Sequence, residues 1–389
     1  MKKALAILFL ALVVIAPASR GEDSRATTAA ALFQKRISKA FPGLRDAASA
    51  EKAVQSQTAP IRADARKIAA EFRYRYVSFD PSVPAGFLFL DPAKIDNDRT
   101  VYATAYACDE VLCIPSVATY QGGVAKILHQ NAVAYTANAH GVIGGSVVLD
   151  LANFVEQAAI FDHGDIKLIP RTQGEVSSRI LRLTDTGIAL VRSDDGIDST
   201  LYLYKNGHST KLDFTPYGLV FLDVNDGGMV AGTLYINGQY RAFRFNPSSG
   251  KLGLLNPQDT EPDSWGLHIN RSNDVLGYSF ISGGLERIGM WRNEKFLTSF
   301  VEGTPQYPTI SNYLLWNSNG LIVITYSRQD RTSYLVPSPG VRLNIADLVE
   351  GAPPGLRLDF IHGLNDRGDM IGFDFNVGPF MLERLPNPQ

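Results

Sequence analysis

The fold is indicated most strongly by the stretch LDVNDGGMVAGTLYINGQYRAF, from Leu222 to Phe243. Its first half recurs in similar form as GLNDRGDMIG, from Gly363 to Gly372. Each version passes from an apolar residue through Asn and Asp to Gly, and then into a new apolar run. Gly tolerates a positive φ, and short polar side chains hydrogen-bond the backbone of a turn. The phrase therefore predicts a tight turn between two antiparallel strands.

Further copies of this phrase bring the number in the chain to seven. In each copy the second residue is apolar and the third is Asn, Asp or Thr; the sixth is Gly or Asn except in the first copy, where it is Arg99. The copies are KIDNDRTVYA (94–103), TANAHGVIGG (136–145), RLTDTGIALV (182–191), DVNDGGMVAG (223–232), HINRSNDVLG (268–277), LWNSNGLIVI (315–324) and GLNDRGDMIG (363–372).

The spacing of the copies identifies the architecture. The sixth residues of successive copies lie 41 to 48 positions apart. Each interval also holds two more strand-like runs, such as YRAFRF and GKLGLL after the copy that begins at Asp223. Repeats of about 40 to 50 residues with four short strands are typical of β-propeller blades. The sequence thus predicts an all-β fold, a seven-bladed β-propeller of four-stranded blades.

A basic residue followed by an apolar one recurs near the end of the first six units, which is typical of an exposed edge strand protected against aggregation. A surface for an anionic polymer is the alternative. The pairs are Lys126-Ile127, Lys167-Leu168, Lys211-Leu212, Lys251-Leu252, Lys295-Phe296 and Arg342-Leu343. The seventh unit ends one strand short, and FRYRYVSF (72–79) carries Arg75-Tyr76. We therefore expect a propeller domain over 72–389 that is closed by the strand 72–79.

The N-terminus is predicted to be an export signal. Lys2 and Lys3 precede the apolar run Ala4–Ala16, and Ala18 ends a small-residue cleavage site. A membrane anchor is the alternative, but the run is shorter than the roughly 20 residues that a span needs. We expect a signal peptide over 1–18, a helical or disordered leader over 19–71, and a secreted or periplasmic protein.

The repeat resembles that of the bacterial extracellular HAF-repeat family. The shared pattern is x-I-N-D-x-G-x-V-x-G, then x-A-F, then a strand led by Gly, and it extends over roughly Lys94 to Leu385. Ala242-Phe243 keeps two letters of the family pattern, with Arg241 in place of His. Looser counterparts are Phe161, Tyr204, Trp291, Tyr334 and Phe380. The resemblance implies a secreted β-propeller and carries over no catalytic residue.

Composition and charge limit the partners, cofactors and metals that this chain is expected to bind. A net charge of -2 over 389 residues provides no field for nucleic acid or an anionic membrane, so neither is expected as a partner, and no membrane insertion is expected after signal cleavage. The six histidines show no metal-ligand spacing, and DVNDGG and SDDGID, which partly match calcium loops, are explained by turns. We expect no cofactor and no metal. Cys108 and Cys113, separated by DEVL, predict a local disulfide.

The first position of the phrase supplies the candidate site. If the phrase begins on the innermost strand, alternation turns this position toward the axial channel, where we expect Lys94, Arg182, Asp223 and His268 to bind a ligand. Salt bridges that merely fill the channel are the alternative. A sugar-stacking platform of Trp265, Trp291 and Trp316 is a further hypothesis, although Trp316 occupies an apolar core position.

The function predicted from these features is a non-catalytic binding or interaction scaffold. Its partner would be an unknown protein, a glycan or a small polar ligand, and the chain would be a monomer. The alternative is an enzyme, a hydrolase or lyase that acts on an extracellular polymer at the axial channel. Clustered carboxylate and His side chains at one channel mouth would favour the enzyme.

Overall fold

The computed structural model describes residues 68–79, 84–87, 89–108, 113–214, 217–255, 263–281, 285–302, 313–325, 333–358, 360–374 and 376–386. Across these residues the strands form seven separate sheets, one for each copy of the phrase. Their ring arrangement is the predicted seven-bladed β-propeller. The predicted signal peptide and nearly all of the predicted leader lie outside the described residues, so their boundaries stay predictions.

The strands of blades 1 to 3 follow one another from the axis outward, after a first strand, β1 (Tyr74–Ser78), that belongs to the last blade. Blade 1 holds β2 (Phe89–Ile95), β3 (Val101–Cys108), β4 (Cys113–Gln121) and β5 (Val124–Gln130). Blade 2 holds β6 (Ala132–Ala137), β7 (Ile143–Asp150), β8 (Val155–Asp162) and β9 (Asp165–Leu168). Blade 3 holds β10 (Ser177–Leu183), β11 (Ala189–Asp194), β12 (Ser199–Lys205) and β13 (His208–Leu212).

Blades 4 to 7 repeat this order. Blade 4 holds β14 (Gly218–Val224), β15 (Val230–Ile236), β16 (Gln239–Asn246) and β17 (Lys251–Leu254). Blade 5 holds β18 (Ser264–Ile269), β19 (Val275–Ile281), β20 (Leu285–Arg292) and β21 (Lys295–Glu302). Blade 6 holds β22 (Tyr313–Trp316), β23 (Ile322–Thr325), β24 (Ser333–Ser338) and β25 (Val341–Asn344), followed by a 3-10 helix (Ile345–Leu348) and β26 (Val349–Glu350). Blade 7 holds β27 (Phe360–Leu364), β28 (Met370–Asp374) and β29 (Gly378–Arg384).

The last blade combines the two ends of the described chain. Strand β1 pairs antiparallel with β29, from Tyr74 opposite Arg384 to Ser78 opposite Phe380. Arg75 forms an ion pair with Glu383 on the facing strand. The short strand β26 lies parallel to β1 on its outer side, so this sheet has five strands rather than the four expected. The outer edge of the last blade is therefore partly covered by chain from blade 6.

Each copy of the phrase forms the turn between the first and second strands of a blade. The sixth residue has a positive φ in all seven copies, including the two that are not Gly, Arg99 at 63° and Asn273 at 62°. In the copy at Asp223, the Oδ1 atom of Asn225 accepts hydrogen bonds from the backbone N–H groups of Gly227 and Met229. The turn predicted from the sequence is confirmed.

The hydrophobic core consists of several clusters, most of which combine residues from two neighbouring blades. One cluster joins Leu190 and Leu203 of blade 3 to Val230 and Phe243 of blade 4. The largest fully buried side chain, Trp291, packs in another cluster with Val275 and Ile269. Packing between blades thus holds the inner strands at fixed positions around the axis.

Candidate functional site

A β-bulge on the inner strand aims the first position of the phrase. Within the described residues, the register between the first and second strands shifts near this position in every blade except blade 6. The bulge brings the inner backbone close to the last residue of the phrase: a Cβ added at Gly232 would lie 2.0 Å from the carbonyl oxygen of Phe221. Gly145, Gly277 and Gly372 stand in equally close contacts. In these four copies, Gly at the tenth position therefore allows the close approach of the two backbones.

Three of the four residues predicted to line the channel form one polar cluster. Arg182 Nε lies 3.0 Å from Asp223 Oδ1, and His268 Nδ1 lies 3.4 Å from Asp223 Oδ2. Asp223 also accepts a hydrogen bond from the backbone N–H of Ile269. Burial alone would raise the pKa of Asp223, but Arg182 and His268 outweigh it and lower the pKa to about 2. The carboxylate is therefore held ionised between blades 3, 4 and 5.

His268 is fixed on both sides of its ring. Its Nε2 atom lies 2.5 Å from the carbonyl oxygen of Leu314 on blade 6, and its Nδ1 atom lies 3.4 Å from Arg182 Nη2. A general base needs a ring nitrogen that can reach the substrate. Because both nitrogens already have partners, His268 is suited to orienting Asp223 and Arg182 rather than to moving a proton.

Lys94, the fourth predicted residue, reaches the same region without joining the cluster. Burial, followed by the positive charge of Arg182, lowers the pKa of its ammonium group, and the charges of Asp366, Asp185 and Asp223 oppose this shift. These neighbours belong to blades 3, 4 and 7, whereas Lys94 belongs to blade 1. Because its charge interacts with groups on three other blades, the Lys94 side chain lies near the axis.

A second polar cluster, which the sequence did not reveal, joins blades 2 and 3. Glu156 is 3 % exposed, and its Oε1 atom accepts hydrogen bonds from Tyr135 Oη at 2.8 Å and Ser146 Oγ at 2.5 Å. Arg179 Nη1 lies 3.8 Å from Glu156 Oε2, and its guanidinium lies over the Tyr135 ring. Burial raises the pKa of Glu156, despite these partners. The cluster thus combines an acid, a phenol and a cation.

Asp91 extends this cluster to blade 1. It faces Thr104 across the β2–β3 pair, and Thr104 Oγ1 accepts a hydrogen bond from the backbone N–H of Ala134 on blade 2. Cross-strand partners share one face of a sheet, so Asp91 also faces blade 2. Burial raises the pKa of Asp91 to about 7. Burial also raises the pKa of Tyr106, and the negative charges of Asp91 and Glu156 raise it further.

One sequence signal could have pointed to this second cluster. Asp91 and Arg179 each stand three residues before the first position of the phrase, in blades 1 and 3. A charged residue on a largely buried inner strand is unusual unless it is paired or functional. Tyr135 occupies the bulge itself, and Glu156 lies outside the phrase altogether, so neither follows from the repeat.

The other predicted features have separate outcomes. Cys108 and Cys113 are cross-strand neighbours joined by the predicted disulfide. The three tryptophans pack in different places: Trp291 is buried, Trp316 packs between blades 5 and 6, and Trp265 stacks against Tyr240 and Tyr278.

Two features are absent from the described part of the chain. It contains no group of three or more His, Cys, Asp or Glu side chains arranged to hold a metal ion. It also contains no helix of the length and apolar character that a membrane crossing requires.

The fold is shared with solved β-propeller structures. The chain is similar to the β-propeller domain of the trilobed protease from Pyrococcus furiosus, with a TM-score of 0.51 and 9% identity over 78% of this chain and 98% of that one. It is also similar to acylaminoacyl peptidase from Pyrococcus horikoshii in its orthorhombic crystal form, with a TM-score of 0.51 and 11% identity over 77% of this chain and 52% of that one. This chain thus spans about half the length of that peptidase. No family model and no curated protein matches the sequence.

The prediction of a non-catalytic scaffold is corrected by these comparisons. Structures with the same fold belong to a protease and a peptidase, so a propeller without a linear reaction motif does not favour a non-catalytic role. The physical reason lies in the fold. Acidic and basic side chains from separate blades converge near the axis, where a search for contiguous motifs does not detect them.

Proposed function

We propose that this chain is a secreted or periplasmic hydrolase that acts on an extracellular polymer at the axial channel. The observation that carries the proposal is the position of Asp91 on the face of blade 1 that is turned toward blade 2, where Tyr135, Glu156 and Arg179 form a polar cluster with blade 3. Secretion is supported by the basic and apolar N-terminus of the sequence.

Asp91 is the proposed proton-transfer group. Because burial raises its pKa to about 7, this carboxyl changes protonation state near neutral pH, which is the property that a general acid or base requires. Within the described residues it has no hydrogen bond and no ion pair, and its side chain is partly exposed. It is therefore able to exchange a proton with a bound substrate.

The neighbouring cluster provides the charge stabilisation that hydrolysis requires. Arg179 can stabilise negative charge that develops on an attacked carbonyl or a leaving oxygen. Glu156 fixes Tyr135 and Arg179 by accepting the hydrogen bond of Tyr135 and attracting Arg179. Glu156 and Tyr135 are therefore positioning residues, while Asp91 and Arg179 are the candidate catalytic groups.

A polypeptide is the first polymer to test. The supporting observation is that solved structures with this fold include a protease and an acylaminoacyl peptidase, by their names. At 9% and 11% identity these similarities show the fold alone, so the substrate is part of the proposal.

The test is a hydrolysis assay on the purified chain with labelled polypeptides and polysaccharides. We expect Asp91→Asn to lower kcat/KM by at least about 100-fold, the lower range for general acid–base catalysis, and to remove the ionisation near pH 7 from the pH profile. Glu156→Gln should lower kcat with a smaller effect on KM. Asp162→Asn, on the exposed end of β8, is the control. The proposal fails if the folded wild-type chain cleaves none of these polymers, or if Asp91→Asn retains full activity.

A further inference from the structure

Lys94 places an unpartnered positive charge at the channel. Among the residues that the structure describes, its ammonium group has no hydrogen bond and no ion pair within contact distance, although its side chain is largely surrounded by protein. The side chain keeps some contact with solvent, so an anion can reach the ammonium group and accept a charge-assisted hydrogen bond from it. The nearby positive charge of Arg182 strengthens the attraction for an anion.

The three aspartates near Lys94 are engaged elsewhere. Asp223 pairs with Arg182 and His268. Asp185 accepts a hydrogen bond from the backbone N–H of Ala139 and pairs with Arg271. Asp366 accepts hydrogen bonds from the backbone N–H of Ser318 and from the side chain of Asn97. They reduce the local positive potential, but none of them contacts Lys94.

Arg182 has spare hydrogen-bonding capacity beside Lys94. Its Nε atom donates to Asp223, and its Nη2 atom lies 3.4 Å from His268 Nδ1. Within the described residues Nη1 has no partner, and 37% of the side chain is exposed. An arginine fork next to a lysine ammonium is suited to a planar oxyanion.

We infer that Lys94 and Arg182 form a carboxylate-binding subsite in the channel, which holds the C-terminal carboxylate of a peptide. A singly charged carboxylate is favoured over a phosphate dianion, because Asp185, Asp223 and Asp366 surround the position and repel a second negative charge. The role of this position as a substrate subsite rests on the proposed hydrolase function. The binding of a carboxylate does not, since it requires no turnover.

The test compares two probes that differ only at the C-terminus, N-acetyl-trialanine with a free carboxylate and the same peptide as its amide. Calorimetric titration of the wild-type chain should show at least about 10-fold tighter binding of the acid, the scale of one charge-assisted hydrogen bond. Lys94→Met and Arg182→Met should each abolish this preference. Lys126→Met, which removes an exposed lysine from the outer strand β5, should leave it unchanged.

A second measurement separates ligand binding from a structural role. If Lys94 serves an absent anion, Lys94→Met should unfold at the same temperature as the wild-type chain or higher when no peptide is present. A lower unfolding temperature would show that Lys94 stabilises the fold, and would overturn the inference. Asp91→Asn should bind the acid probe normally, so loss of hydrolysis and loss of carboxylate binding are distinguishable.

Three further results would overturn the inference. The first is equal affinity of the wild-type chain for the acid and the amide. The second is no binding of either peptide. The third is Lys94-dependent binding of inorganic phosphate or of oligogalacturonate without binding of the acid peptide, which would assign the site to a different anion.

Discussion

Asn365 donates a hydrogen bond from Nδ2 to the backbone carbonyl of Asp96, 269 positions away in the sequence, at an N–O distance of 2.7 Å. The bond joins the seventh copy of the phrase to the first. The same Asn-to-carbonyl bond links Asn138 to Thr184, Asn225 to Asn270 and Asn317 to Asn365. Asn at the third position thus connects neighbouring turns as well as shaping its own.

This connection predicts a role for Asn365 in stability. Asn365→Ala should lower the free energy of unfolding by about 1–3 kcal/mol, because it leaves the backbone N–H of buried Asp369 without its acceptor and removes the link to Asp96. Urea denaturation measures the change. Asn319→Ala, which removes an exposed bond to Asp366, is the matched control and should cost less. Equal effects of the two substitutions would contradict the prediction.

At the sixth position of the first copy, we expect Arg99 to stabilise the fold more than the Gly that most other copies have there. Arg99→Gly would relieve a positive φ of 63°, but it would also remove the partner of Asp369, whose side chain is fully buried, and of Glu383. Since an uncompensated buried charge costs more than the backbone strain, we expect a net loss on the order of 2 kcal/mol. Chemical denaturation that shows Arg99→Gly to be more stable than the wild-type chain would refute this.

Because of Asp223, we expect the stability of the fold to decrease between about pH 4 and pH 2. Its folded-state pKa is about 2, below the ordinary value of 3.8, so its stabilising contribution is present above the ordinary value and is lost as the pH falls through the folded value. The contribution is about 2 kcal/mol. Asp223→Asn should lose less stability than the wild-type chain between pH 5 and pH 2.5, measured by urea titration. Parallel pH curves would contradict the assignment.

For Asp91 we expect the opposite pH dependence, in which its contribution to stability decreases as the pH rises. Its folded-state pKa of about 7 lies above the ordinary 3.8, so ionisation weakens the fold progressively as the pH rises between these values. Asp91→Asn should therefore be more stable than the wild-type chain at pH 8, by up to about 4 kcal/mol, and equally stable near pH 3. Thermal unfolding at the two pH values tests this. A destabilised variant at pH 8 would show that the carboxylate is a structural group.

Strand β1 predicts a sharp boundary for N-terminal truncation. A chain that begins at residue 68 keeps the β1–β29 pairing and should remain folded and soluble. A chain that begins at residue 80 exposes the edge of β29 and leaves Glu383 without Arg75, so it should aggregate. Size-exclusion chromatography compares the two. Identical elution as soluble monomers would contradict the role of β1 in closing the ring.

The number of blades and the turn within each blade could be read directly from the repeat. The seven-fold phrase specifies local backbone geometry: a positive φ at its sixth residue, a polar cap at its third and, in four of the copies, a Gly at its tenth where two backbones come close together. These are short-range requirements, so each copy states them independently. Lys94, Arg182, Asp223 and His268 were found for the same reason, as they share one place in the phrase.

Only the tertiary structure decided what those side chains contact. The packing of blades around the axis places Asp223 between Arg182 and His268, leaves Lys94 near them without a contact partner, and turns Asp91 toward blade 2. These relations depend on burial and on the distance between blades, which no short-range pattern encodes. The pKa of a carboxyl group likewise follows from its surroundings, so the repeat could identify the channel but not its chemistry.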